Sequence, residues 1–155
     1  FYDSLIEKYR KKLGFKSALD SDYDLLLGLF EIMEIEKLDY TNTFRDLSMI
    51  ITSSDDFKLS DNFYTWLTSY KARLDKDQNN IEQSILVMNE NNPKYVLRNY
   101  LAQSAIEDAE EGKSEKIDQL AKVLSNPYDD LGKSMEKYCK PAPKEQQNQQ
   151  LSCSS

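Results

Sequence analysis

The chain contains no histidine and only two cysteines, Cys139 and Cys153, among its 155 residues. The first absence excludes a serine–histidine or cysteine–histidine dyad and any histidine-ligated metal, and two thiolates are too few for a zinc cage. Glycine is equally scarce: Gly28 and Gly112 stand alone, so neither a phosphate-cradling loop nor a dinucleotide fingerprint can be written. Four glycines and four prolines in a chain of this length disfavour a turn-rich β fold. The longest apolar run, Leu25–Phe30, falls far short of the roughly 20 residues that a membrane span needs. Positive charge is outnumbered, 20 Lys and Arg against 27 Asp and Glu, and the net charge of −7 argues against a surface that grips nucleic acid through its phosphates. Self-contained catalysis is not expected, and a small stand-alone hydrolase fails on missing residue types.

What remains is a globular composition, 39% hydrophobic with ten Tyr and six Phe, large enough to bury one real core. The fold expected is all-α, an irregular bundle of six to eight helices with an extended C-terminal tail. The chain opens on Phe1 with no initiator Met and no leader, and is expected to be a piece of a longer polypeptide.

Tyr2, Leu5, Ile6, Tyr9 and Leu13 recur at helical spacing, with Gly14 as the stop. Lys8, Arg10, Lys11 and Lys12 gather at the end of that helix, either as an anionic docking patch or as a solvated helix end. Asp20-Ser21-Asp22 predicts an N-cap for a helix over about 22–36 that is apolar most of the way round, and Gly28 in its middle suggests close approach of another backbone. Asp39 or Thr41 caps a third helix that turns Phe44, Leu47 and Ile51 inward. Ser60 caps a fourth with Phe63, Trp66, Leu67, Tyr70 and Leu74 on one face, where Trp66 reads as core more readily than as a binding anchor. A short helix through Ile81, Ile85 and Met88 follows. Asn92-Pro93 predicts the start of a helix running to Glu111, with Val96, Leu97, Tyr100, Leu101, Ala105 and Ile106 buried. Glu107, Asp108, Glu110 and Glu111 at its end read as solvated acids and not as a cation site, since no loop wraps them. Ser114 caps a last helix with Ile117, Leu120, Ala121 and Leu124 on its face, ended by Asn126-Pro127. Tyr128, Leu131, Met135 and Tyr138 are expected to lie down on the domain. Residues 1–139 thus form the helical region, and 140–155 a flexible polar tail of linker composition. Cys153 near its end is either a redox-active thiol or an idle one.

Asn92-Pro93-Lys94-Tyr95-Val96-Leu97-Arg98-Asn99-Tyr100-Leu101-Ala102-Gln103 strongly resembles the NPKYVLRNYLAQ signature of the selenoprotein O (YdiU) family. Asp39-Tyr40-Thr41-Asn42-Thr43-Phe44-Arg45 is similar to the family's DYTNTFR, Trp66 to Leu74 to its W…Y-x-x-RL helix, and Leu151-Ser152-Cys153-Ser154-Ser155 to its terminal SCSS. Order and spacing agree over essentially the whole chain. Between the last helix and SCSS the family's aromatic is replaced here by Gln146 to Gln150.

The resemblance implies a kinase-like enzyme that transfers AMP from ATP to hydroxyl side chains of other proteins, with ATP and Mg or Mn as cofactors. The family's ATP-holding and metal-holding motifs lie upstream of the region matched here. No catalytic, cofactor-binding or metal residue is therefore carried onto this sequence, and the isolated piece is expected to be inactive. The implied partners are the upstream kinase-like domain of the same chain and the enzyme's protein substrates, with neither nucleic acid nor membrane. Uncovered apolar faces are expected to permit dimerisation. Cys153 matches the position that in cysteine-containing members forms a disulfide with a loop of the catalytic domain; Cys139 carries no implied role, and a Cys139–Cys153 bridge is not expected. The compartment implied is the cytoplasm for a bacterial protein and the mitochondrion for a eukaryotic one. The competing reading is a non-enzymatic acidic adaptor that binds proteins through exposed helix faces.

Overall fold

The computed structural model describes residues 2–77 and 80–143. They form seven α-helices: α1 (Tyr2–Arg10), α2 (Asp22–Glu36), α3 (Tyr40–Ser53), α4 (Asp61–Lys76), α5 (Ile81–Asn91), α6 (Asn99–Glu110) and α7 (Glu115–Ser125). Short 3-10 turns occupy Ser54–Asp56 and Lys133–Tyr138, and no strand occurs among the described residues. The all-α expectation holds. The chain divides into two compact units, Phe1–Asn92 and Pro93–Ser155, within what the sequence reading treated as one helical region over 1–139.

In the first unit α2 packs on α4 and α1, and α3 packs on α5. Their apolar stripes converge: Leu26 and Leu29 of α2, Phe44 and Leu47 of α3, and Tyr70 of α4 are almost wholly buried. Each such side chain contributes about 1.5–3 kcal/mol by leaving water. Three helix starts follow from local chemistry. The Asp39 carboxylate accepts from Asn42 N–H at 2.9 Å, Ser60 Oγ from Phe63 N–H at 3.0 Å, and Asn80 Oδ1 from Glu82 N–H at 3.1 Å. Gly14 has φ +72°, and a Cβ there would lie 2.9 Å from Met88 Cγ, so a glycine is needed both for the turn and for the contact.

Several expectations are corrected. Ser21 makes no side-chain cap to α2, because its backbone is already helical (φ −65°, ψ −15°) and Tyr23 N–H bonds the Asp20 carbonyl instead. No backbone meets Gly28: the nearest atom to a Cβ there is Cδ1 of Trp66 at 3.4 Å, and the Trp66 indole N–H donates to the Leu25 carbonyl at 2.8 Å. α2 ends without a glycine, through Lys37 at φ 53°, while Leu38 N–H closes back on the Met33 carbonyl.

The second unit departs further from the sequence reading. No helix starts at Asn92-Pro93: α6 begins at Asn99, and residues 93–98 precede it without helical structure. The amides of Lys94 and Tyr95 both donate to the Pro127 carbonyl, which pins this stretch beside the end of α7 and withdraws it from helical bonding. Tyr95, Ala105, Leu120, Val123 and Tyr138 form the small core here, whereas Leu97, Ile106 and Ile117 are exposed. α7 therefore buries Val123 in place of the Ile117 and Ala121 expected. Ser114 stands at its start without a capping bond. Leu131, Met135 and Tyr138 do pack down on this unit, and Tyr128 stays largely exposed.

Candidate functional site

The stretches singled out in the sequence fold into tight polar junctions. Asn92 is fully buried at the end of the first unit, its side-chain N–H donating to the Lys12 carbonyl at 2.8 Å. Its Oδ1 accepts from the Lys12 ammonium at 3.3 Å, and the same ammonium reaches the Asn91 carbonyl at 3.1 Å. Arg45 closes the junction by donating to the carbonyls of Asn89 and Asn92 at 2.9 and 3.0 Å. The ammonium also lies 5.9 Å from the ring centre of Tyr40 and 5.6 Å from that of Phe44. Burial, reinforced by the charge of Lys8, pushes the Lys12 pKa down. The basic run at the end of α1 is thus divided: Arg10 is spent on Glu7 and on the carbonyls of Phe15 and Lys16, and Lys12 on the junction.

A second junction centres on Arg73, which periodicity alone does not single out because it sits on the apolar face of α4. Its guanidinium pairs with Asp22, donates to the Ser17 carbonyl at 2.8 Å, reaches Asp77 at 3.1 Å and lies 4.3 Å over the Phe15 ring. Burial works against the charge on Arg73, yet hydrogen bonds to Asp22 and Asp77 outweigh it and raise its pKa. The Asp77 carboxylate also accepts from Lys16 N–H at 2.7 Å and Ser17 Oγ at 3.0 Å. Burial raises its pKa, but those donors together with Arg73 prevail and hold it below the ordinary value. On the same helix, the buried Tyr70 hydroxyl donates to the Leu13 carbonyl at 2.7 Å, and burial drives its pKa upward. Trp66 is core, stacked on Tyr70 with ring centres 4.9 Å apart.

In the second unit the rest of the Asn92–Gln103 stretch anchors the segment that follows α7. The Lys94 ammonium pairs with Asp130 at 2.8 Å, Arg98 donates to the Cys139 carbonyl at 3.3 Å, and Tyr100 Oη to the Lys140 carbonyl at 2.8 Å. Burial opposes the Lys94 charge, and Asp130 more than restores it. The half-buried Cys139 thiol donates to the Glu136 carbonyl at 3.0 Å. Cys153, the one site residue carried over from the resemblance, lies outside the described residues, as does any pairing it makes.

These junctions join distant segments of the one chain to one another. Three of the four acids at the end of α6 are engaged locally: Asp108 with Lys116, Glu111 with Lys113, and Glu107 with the Gln103 amide. Among the described residues no three acids or thiols converge into a metal-ligand set. Cavities among the described residues include two with well-defined linings. One, of about 740 Å³, lies between the start of α1 and the loop into α2, lined by Ser4, Ile6, Ala18, Leu19 and Tyr23 with the acids Glu7 and Asp20. The other, of about 200 Å³ in the second unit, is bounded by Tyr100, Ser104, Lys116 and Tyr138. No helix among the described residues is long and apolar enough to cross a membrane.

Comparison with known families matches residues 1–125 to the family described as protein adenylyltransferase SelO. Protein nucleotidyltransferase YdiU of Shewanella halifaxensis is 41% identical over 133 residues, which covers 78% of this chain and 27% of that protein. The proteins of the same name from Pseudomonas fluorescens and Cupriavidus metallidurans are 37% and 33% identical, covering 97% and 100% of this chain. The chain spans about a third of the length of these relatives, 32% and 30% for the latter two.

Proposed function

The chain belongs to the protein adenylyltransferase SelO family, and on that ground we propose that it is the C-terminal helical portion of an enzyme that transfers AMP from ATP to hydroxyl side chains of proteins. One observation carries the reading: similarity runs through nearly the whole chain, while the chain supplies only about a third of each relative's length. ATP and its Mg or Mn ion are held by residues outside this portion. That division of labour accords with the junctions at Asn92 and Arg73, whose cations already meet carbonyls, carboxylates and rings of the same chain. The role of these 155 residues is to present a stable helical body to a kinase-like domain, with Cys153 as the redox group that pairs with a cysteine of that domain. For a bacterial source the enzyme works in the cytoplasm.

The test uses the whole protein with ATP labelled separately on the α- and γ-phosphates, a divalent metal and a mixture of candidate protein substrates. Transfer of the α label, removed by no treatment that spares phosphodiesters, is the expected result. Transfer of the γ label alone, or of neither under any metal, overturns the reading. For Cys153, thiol alkylation before and after reduction reports its pairing: a Cys153 that is fully alkylated without reduction after exposure to air removes the redox role.

A further inference from the structure

The 740 Å³ cavity lies against the first turns of α1, where Ser4 and Ile6 contribute to its wall. Tyr2 begins that helix, two residues and about 3 Å of helical rise before Ser4, so the start of α1 lies beside the cavity. The far wall is Ala18, Leu19 and Tyr23, of which Ala18 and Leu19 are exposed. Asp20 adds a carboxylate that takes part in none of the ion pairs among the described residues. The volume is within the range of a true ligand site, and its lining is suited to an apolar side chain accompanied by a cation.

We propose that this cavity is the docking site for the polypeptide that leads into Phe1 in the whole protein, which places an apolar side chain against Ile6, Leu19 and Tyr23 and a basic one beside Asp20. The inference rests on reading the chain as part of a longer enzyme. It favours that occupant on two grounds: the relatives are about three times as long as this chain, and the cavity stands at the point where such a segment joins it.

The experiment places a photoreactive benzoylphenylalanine at Leu19 of the whole protein, irradiates it at high dilution and maps the cross-links by peptide mass spectrometry. Links to residues N-terminal to Phe1 are expected. Links to a second copy, links confined to these 155 residues, or no link at all overturn the proposal. An independent arm replaces Ala18 or the exposed Glu31 by cysteine and follows maleimide labelling peptide by peptide. Ala18→Cys is expected to react about tenfold more slowly than Glu31→Cys in the whole protein, as a covered site does; equal rates overturn it. AMP transfer measured on the same samples separates the two claims. Transfer without protection at Ala18 removes the docking and leaves the function, and protection without transfer does the reverse.

Discussion

The Asn92 side chain and the backbone carbonyl of Lys12, 80 positions apart in the chain, are joined by a 2.8 Å hydrogen bond inside the first unit. Asn92 has no solvent to fall back on, since it is fully buried. A buried amide whose partners are removed, or partners whose amide is removed, costs about 1–3 kcal/mol per group left unsatisfied. Asn92→Ala is therefore expected to destabilise the first unit by about 2–4 kcal/mol. Urea unfolding followed by the fluorescence of Trp66, the chain's one tryptophan, measures it. A change below the error of that measurement refutes the assigned role.

Arg73→Ala leaves Asp22 buried without its cation and is expected to cost about 3–5 kcal/mol. Replacing both partners together, Asp22→Leu with Arg73→Met, is expected to cost less than the sum of the two single changes, because Asp22 then leaves no buried charge behind and only Asp77 loses its cation. The comparison is made by urea titration of all three variants. Losses that simply add would show that the two side chains act independently.

Asp77 provides a dependence on acid. Its folded pKa lies below the ordinary 3.8, so its stabilisation is complete at neutral pH, where the carboxylate is charged in both states. As pH falls past 3.8 the unfolded chain takes up the proton first, and the stabilisation is lost on the way down through the folded value. Asp77→Asn should flatten this acid limb of a stability–pH curve and also lower stability at neutral pH. An acid limb unchanged in the variant would contradict the assignment.

Two glycines of the first unit should respond in opposite ways to alanine. Gly14→Ala forces a positive φ on an L residue and drives its methyl into Met88, and is expected to lose about 2 kcal/mol or more. Gly28→Ala lies in the middle of α2, where the methyl meets only ordinary contact with Trp66 at 3.4 Å. The gain in helix propensity of about 1 kcal/mol makes it neutral or mildly stabilising. Thermal unfolding of the two variants side by side tests this, and equal losses would defeat it.

Much of the first unit was legible in advance because its signals are local. Asp39 and Ser60 cap helices through an amide three residues ahead, and the stripe from Phe63 to Leu74 repeats within a single helix. Asn92-Pro93 misled for an instructive reason. The pair carries the local chemistry of a helix start, but Asn92 is occupied by Lys12 and the following amides by Pro127, and tertiary bonds to distant residues prevailed over local preference. The expected α2 cap is absent for a local reason, since the backbone at Ser21 is already helical and the chain enters α2 through a turn.

The amino-acid order alone therefore settled the helical class, the span of α2 and the cap of α4, narrowed the cap of α3 to Asp39 or Thr41, and carried the motifs that place the chain in its family. Only the tertiary structure decided that Arg73, Asp22 and Asn92 are buried, where α6 begins, and that Ile117 and Ile106 face outward. The reason is one of range. Capping and periodicity act within a few residues and leave a trace in any short window, whereas the desolvation of a charge or an amide depends on what arrives from elsewhere in the chain.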